Sequence, residues 1–175
     1  MLRAEHIYLR PVCREDLPLL LELVNDFDYL TEFNFFGLNP PTGLEKHFEE
    51  DGLLGSEDGT LLVVTCENEE VIGEVSYRQV RYGPGSASVA YDLGIVLAPV
   101  HRGKGLGIQA QQLLTEYLFS TYPIMRIEAS TDVTNTAEIK ALAKAGFTRE
   151  GVLRQAQWRS GAWHDLVVFS KLRGE

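Results

Sequence analysis

The chain has 175 residues, 45% of them hydrophobic and 23% charged, a composition that fits one soluble globular domain (residues 1–175) with room for a real core. Its net charge of −9 lies wholly in residues 1–60, where 13 acidic face 4 basic side chains, which argues against nucleic acid as a partner and for a cationic one. Neither a run of about 20 apolar residues, as a membrane span needs, nor an apolar signal core near the first Met is present, so a cytoplasmic protein is expected.

Ile7 to Arg10 alternates and predicts a short strand. Arg14 to Val24 carries Leu17, Leu20, Leu21 and Val24 on one helical stripe, with Pro18 tolerated in the first turn. Asn25 to Asn39 is acidic and aromatic, irregular or a short helix. Thr42 is placed to cap a helix through Glu50, with Glu45 completing a capping box. After a loop over 52–59, Thr60–Cys66 and Val71–Val80 predict two strands around the turn Glu67–Glu70, and a second turn, Tyr82–Gly85, leads to a strand over Ala87–Leu97. Cys13 and Cys66 lack metal-ligand spacing and are expected to be buried apolar residues; the four histidines are scattered, and no metal site is expected.

The next stretch, Arg102-Gly103-Lys104-Gly105-Leu106-Gly107, stands between that strand and a helical pattern running through Leu106, Ala110, Leu113, Leu114, Tyr117 and Leu118. A strand, a glycine-rich turn and a helix in that order expose amides at a positive dipole end, where a pyrophosphate can sit, with Arg102 and Lys104 as counter-charge. The spacing is not that of the better-known phosphate loops. No hydroxyl residue follows Lys104 within ten positions, and Ile108 occupies the place of a dinucleotide fingerprint's third glycine. Further on, Arg126–Thr131 predicts a strand and Thr136–Ala145 a helix ended by Gly146. Phe147–Trp158 and Trp163–Ser170 predict a final strand pair around Ser160-Gly161. Strands around well-signalled helices give an α/β or α+β sandwich.

These residues resemble a known family. Arg102-x-x-Gly105-x-Gly107, then Asn135 followed by Lys144-Ala145-Gly146-Phe147, match the signature of the GNAT superfamily of acyl-CoA-dependent N-acyltransferases. Arg149-Glu150-Gly151-Val152-Leu153-Arg154, Gly161-x-Trp163-x-Asp165 and the opening Ile7-Tyr8-Leu9-Arg10-Pro11 with Glu15-Asp16 are similar to its ribosomal-protein N-terminal acetyltransferase branch. The resemblance runs over about residues 5–172. It implies a mixed, mostly antiparallel sheet of about six to seven strands, splayed where the cofactor enters and flanked by about four helices. Acetyl-CoA is the implied acyl donor, with no metal.

The same resemblance implies roles. The strand Leu93–Ala98 would bulge and offer the main chain of Val96 and Leu97 to the pantetheine arm. The amides of Arg102, Gly103, Lys104, Gly105, Leu106 and Gly107 would take the pyrophosphate, and Asn135 the pantetheine, unless it only caps the helix behind it. An amine attacks a thioester only when neutral, so a proton acceptor is needed. Asp92 and Glu74 lie on suitable strands, with Glu138 a third candidate. Many relatives hold a Tyr seven residues after the Asn to protonate the thiolate, where this chain has Leu142; members of the branch often hold a Ser three residues after it, where this chain has Glu138. That leaves Tyr91 or water as the acid. The acceptor site is implied between the N-terminal helices and the last strand pair. It would bring Asp26, Phe27, Asp28, Tyr29, Glu32, Phe33, Phe35 and Phe36 toward Trp158 and Trp163, with carboxylates and aromatics around an ammonium. The acceptors left open are a protein N-terminus, an amine antibiotic or a small metabolite amine, and a homodimer is one assembly open to the chain. The competing reading is a catalytically silent acyl-CoA-binding sensor or interaction module.

Overall fold

A computed structural model describes residues 2–84 and 88–175. Eight strands form one sheet in the order β1-β2-β3-β4-β5-β6-β8-β7. They are β1 Leu2–Arg3, β2 Ile7–Pro11, β3 Asp58–Thr65, β4 Val71–Arg81, β5 Val89–Leu97, β6 Arg126–Asp132, β7 Thr148–Arg159 and β8 Ala162–Leu172. Five helices accompany them: α1 Leu17–Leu23, α2 Phe27–Asn34, α3 Pro41–Asp51, α4 Leu106–Thr121 and α5 Thr136–Lys144. All neighbouring strands run antiparallel except β5 and β6.

That parallel pair shapes the molecule. β5 and β6 pair only at Tyr91–Ile127, Asp92–Glu128 and Leu93–Ala129. β5 then continues against β4 as far as Leu97, and β6 against β8 as far as Asp132, so the sheet splits beyond Leu93. Side chains alternate between faces along each strand. One face carries Leu93, Leu97, Ile127 and Phe169 into the larger core, beneath α4 and α5. The other carries Leu62 and Val64 into a smaller cluster with Leu17, Leu20 and Leu53, beneath α1 and α3.

The elements follow the sequence with several corrections. The first predicted helix divides into a 3-10 turn, Arg14–Asp16, and α1, with Pro18 in the first turn of α1. Asp16 is occupied there, accepting the amide of Cys13 at 2.7 Å and the guanidinium of Arg10 at 2.6 and 2.8 Å. Cys13 at this turn is exposed and Cys66 half-buried, so neither is the buried apolar residue expected. Thr42 caps nothing: α3 begins one residue earlier, at Pro41, whose fixed φ favours the first helical position. The ambiguous acidic stretch contains α2, kinked at Thr31 with φ 62. Tyr82 to Pro84 bends as expected, while Gly85 of that turn and Ala87 of the next strand lie outside the described residues. Among the described residues one strand, β1, takes the count to eight, past the six to seven expected, and the helices number five where about four were expected.

Candidate active site

The split opens a cleft of about 510 Å³, lined by Gly94 to Leu97 of β5, by Gly103, Gly105 and Gly107 of the turn, by Asn135 and Glu138 of α5, and by Thr31, Phe33 and Asn34 of α2. Gly105 is the N-cap residue of α4 at φ 80, a left-handed conformation that costs glycine little. The first turn of α4 leaves the amides of Leu106, Gly107 and Ile108 without intrahelical acceptors, beside the helix's positive end. One cradle residue, Arg102, is used differently from expectation. The amide of Arg102 donates to Pro99 O at 3.2 Å, and its guanidinium donates to Leu97 O at 2.7 Å and to Tyr29 O. Arg102 therefore ties α2 to the end of β5 through two carbonyls. Lys104 is exposed.

No bulge interrupts the register of β5 on β4, which runs from Gly73–Leu97 to Arg81–Val89. On the other side of β5, β6 pairs only as far as Leu93, so beyond it that edge of the strand opens to the cleft. Gly73 keeps β4 close at this point, since a Cβ there would fall 2.2 Å from Val96 O. Asn135 caps α5, accepting the Glu138 amide at 3.2 Å and donating to Thr131 Oγ1 at 3.0 Å, and it also lines the cleft.

Asp92 stands at the fork of the split, on the face of α1 and α3. It lines two grooves on that side, of about 740 Å³ and about 300 Å³, and not the cleft itself. The larger groove and the cleft share Ala129 and Ser130, so they meet through the split. Burial raises the Asp92 carboxyl to about 6, with Arg78 at 3.7 Å lowering it and Glu128 raising it. Glu74 lies on the same face, paired opposite Leu62 of Leu17's cluster, and burial raises its pKa as well. It acts electrostatically on Tyr29, whose hydroxyl is buried without a partner.

Tyr91 points to the opposite face from Asp92. Its ring packs at 5.3 Å from Tyr77 and its hydroxyl donates to Ser56 O at 2.6 Å, so it is a core residue and not the acid. Leu142 is likewise core. The acceptor side also needs correction. Tyr29 is 4% exposed beneath α2, and Asp26 spends its carboxylate capping that helix through the amides of Asp28 and Tyr29. Asp28, Glu32, Phe36 and Trp158 are exposed and line neither the cleft nor the grooves at Asp92. The two elements do approach, because Arg159 of the hairpin stacks 5.6 Å from the Phe33 ring. Arg159 is in turn bonded to Asp132 at 2.6 Å, with His164 at 2.8 Å from the same carboxylate. Phe33 is among the aromatics expected on this side, whereas sequence reasoning missed the buried charge cluster. It also missed His47, Asp51 and Asp58, whose ligand-type atoms fall within 4.8 Å of one another, because only the loop after α3 unites them.

The sequence profile of the Acetyltransferase (GNAT) domain matches residues 6–148. The chain belongs to the GNAT acetyltransferase family. Its reaction is acetyl-CoA-dependent N-acetyl transfer. An uncharacterized N-acetyltransferase of Bacillus licheniformis is 30% identical, over 99% of this chain and 97% of its own. A spermidine N(1)-acetyltransferase of Escherichia coli is 25% identical, over 94% and 84%. Among solved structures, the ribosomal-protein alpha-N-acetyltransferase RimL, in complex with coenzyme A, superposes with a TM-score of 0.80 at 23% identity, covering 97% of this chain and 95% of that one. That superposition supports the fold.

Proposed function

We propose that this GNAT enzyme acetylates a cationic primary amine in a ternary complex, with acetyl-CoA in the split and the amine on the Asp92 face. The observation that carries the reading is the split itself, which joins an amide-lined helix terminus to a carboxyl held near neutrality. The amides from Gly103 to Ile108 hold the pyrophosphate, the unpaired edge of β5 at Val96 and Leu97 guides the pantetheine, and Asn135 borders it. Asp92 takes the proton of the ammonium, directly or through water, once its own carboxyl is ionised. Relatives that acetylate spermidine and ribosomal proteins make a polyamine or a protein N-terminus natural acceptors to test. Such an enzyme works in the cytoplasm, where acetyl-CoA is supplied.

Gly105→Val tests the cradle. No protein atom lies within 4 Å of an added Cβ there, so the substitution acts through the strained φ of 80 and through contact with the ligand. Calorimetry is expected to show acetyl-CoA affinity reduced tenfold or more, about 1.4 kcal/mol, in a folded variant. Unchanged affinity would remove the cradle.

A further inference from the structure

The departing sulfur needs a proton as much as the attacking nitrogen needs to lose one. The two demands arise on opposite sides of the split. Asp92 lies on the α1 and α3 face, and the far side of the cleft is walled by α5. Among the described residues lining that cleft, Glu138 is the single carboxyl group. The other charged groups there are Arg102, committed to Tyr29 O and Leu97 O, and the exposed Lys140 and Lys144. From α4, Gln111 reaches Glu138 and donates to Oε1 at 2.5 Å, while Gln111 Oε1 is buried without a partner. The α2 side contributes only the uncharged Thr31, Phe33 and Asn34.

We propose that Glu138, in its protonated form, gives the CoA thiolate its proton. The inference rests on the acetyl-transfer reading and assigns a separate step within it. As the C–N bond forms, the C–S bond breaks and sulfur leaves with the electron pair. It takes the proton of Glu138, leaving a carboxylate, while the proton lost from nitrogen passes to Asp92. Solvent returns one proton and removes the other. Two features support the side chain in this role. It is tethered by Gln111 at the cleft wall, and burial, opposed by the Gln111 bond, lifts its carboxyl to about 7, so a large part of the population holds the proton at neutral pH. Leu142, one turn further along the same helix, has no proton to give and is 1% exposed.

CoA alone is the probe, so no acceptor need be known. The thiol of bound CoA is titrated by its thiolate absorbance in the ultraviolet, and CoA affinity is measured by calorimetry. In the wild type the thiolate forms beside an ionised Glu138, which opposes it. Glu138→Gln removes that charge, and the bound thiol is expected to ionise about one pH unit lower, with affinity within threefold of wild type. Glu138→Asp, which keeps a carboxyl, is expected to titrate close to the wild type. With a working acceptor, Glu138→Gln should lower kcat about 100-fold and abolish the alkaline fall of the rate. Identical titration curves for wild type and Glu138→Gln would overturn the assignment. A Glu138→Gln protein that loses CoA affinity without a titration shift would overturn it too, by making the side chain a binding contact. A wild type that binds no CoA would overturn the functional reading along with it.

Discussion

In the proposed reaction Asp92 has two requirements to meet. It must be buried enough to be a useful base near neutrality, and open enough to meet an amine. Its carboxyl at about 6 is protonated in acid and ionised above neutrality, so turnover should rise as pH increases through about 6. Asp92→Asn is expected to lower kcat about 100-fold or more across pH 6 to 9 while leaving acetyl-CoA affinity nearly unchanged, a split that steady-state kinetics and calorimetry read together. The same burial has a stability consequence. A carboxyl raised from 3.8 in the unfolded chain to about 6 in the fold stabilises in its protonated form, fully so below pH 3.8, and that contribution is lost as pH rises through about 6. Asp92→Asn should therefore be no less stable than the wild type at pH 7 in thermal denaturation. A variant markedly less stable would mean that the ion pair with Arg78 outweighs the cost of burial.

At the scale of elements, the β7–β8 hairpin and α2 are coupled through one charge cluster. Asp132 and Arg159 are nearly fully buried, and the Arg159 guanidinium lies over Phe33 of α2. Burial would raise the Asp132 carboxyl, but bonds from Thr134 and Arg159 outweigh it and hold the pKa at about 2. Breaking one side of a buried pair is costly, and Asp132→Asn is expected to lose about 3 kcal/mol of unfolding free energy at pH 7. The sign with pH follows. Stabilisation by a depressed carboxyl is full above its unfolded value of 3.8 and fades as pH falls toward about 2, so the gap between variant and wild type should close over that window. Denaturant titrations from pH 7 to pH 2 measure it.

These same elements mark what the sequence could and could not disclose. Strong periodicity and glycine punctuation revealed β2, β3, β4, α4, α5 and the hairpin turn at Ser160-Gly161, because local preference and tertiary packing agree there. The glycine-rich turn that opens α4 was legible for that reason. Thr42 misled because a preceding proline pair sets the helix start more firmly than a side-chain cap. Arg102 misled because a cation beside a glycine turn looks free until the partner carbonyls, 73 and 5 residues away, are in view. The placement of Tyr91 depended on which face of β5 it occupies, which only the pairing with β4 and β6 fixes.

Across the whole molecule, the proposed reaction places the cofactor on one side of the split sheet and the acceptor on the other, and the uneven charge adds a field. Asp26, Asp28 and Glu32 sit on α2 at the rim of this arrangement rather than in its cavities. They should act on a cationic acceptor by attraction at a distance. Replacing all three by their amides, which keeps a capping oxygen at position 26, is expected to raise KM for the amine at low salt with kcat and acetyl-CoA affinity unchanged. The difference should vanish near 1 M salt, where the Debye length is about 3 Å. An unchanged KM with a proven acceptor would reduce the acidic face to a solvated surface.

The central claim is acetyl transfer from CoA to an amine across the split, with Asp92 as base. Its most direct measurement incubates the protein and acetyl-CoA with a panel of polyamines, amino acids and N-terminal peptides, following free thiol and acetylated product together by mass spectrometry. The proposed transfer requires one-to-one formation of thiol and N-acetyl product for a cationic primary amine, at a rate that rises with pH through about 6 and falls about 100-fold or more in Asp92→Asn. Tight CoA binding with no acetylated product from any amine would contradict it and leave a CoA-binding module in its place.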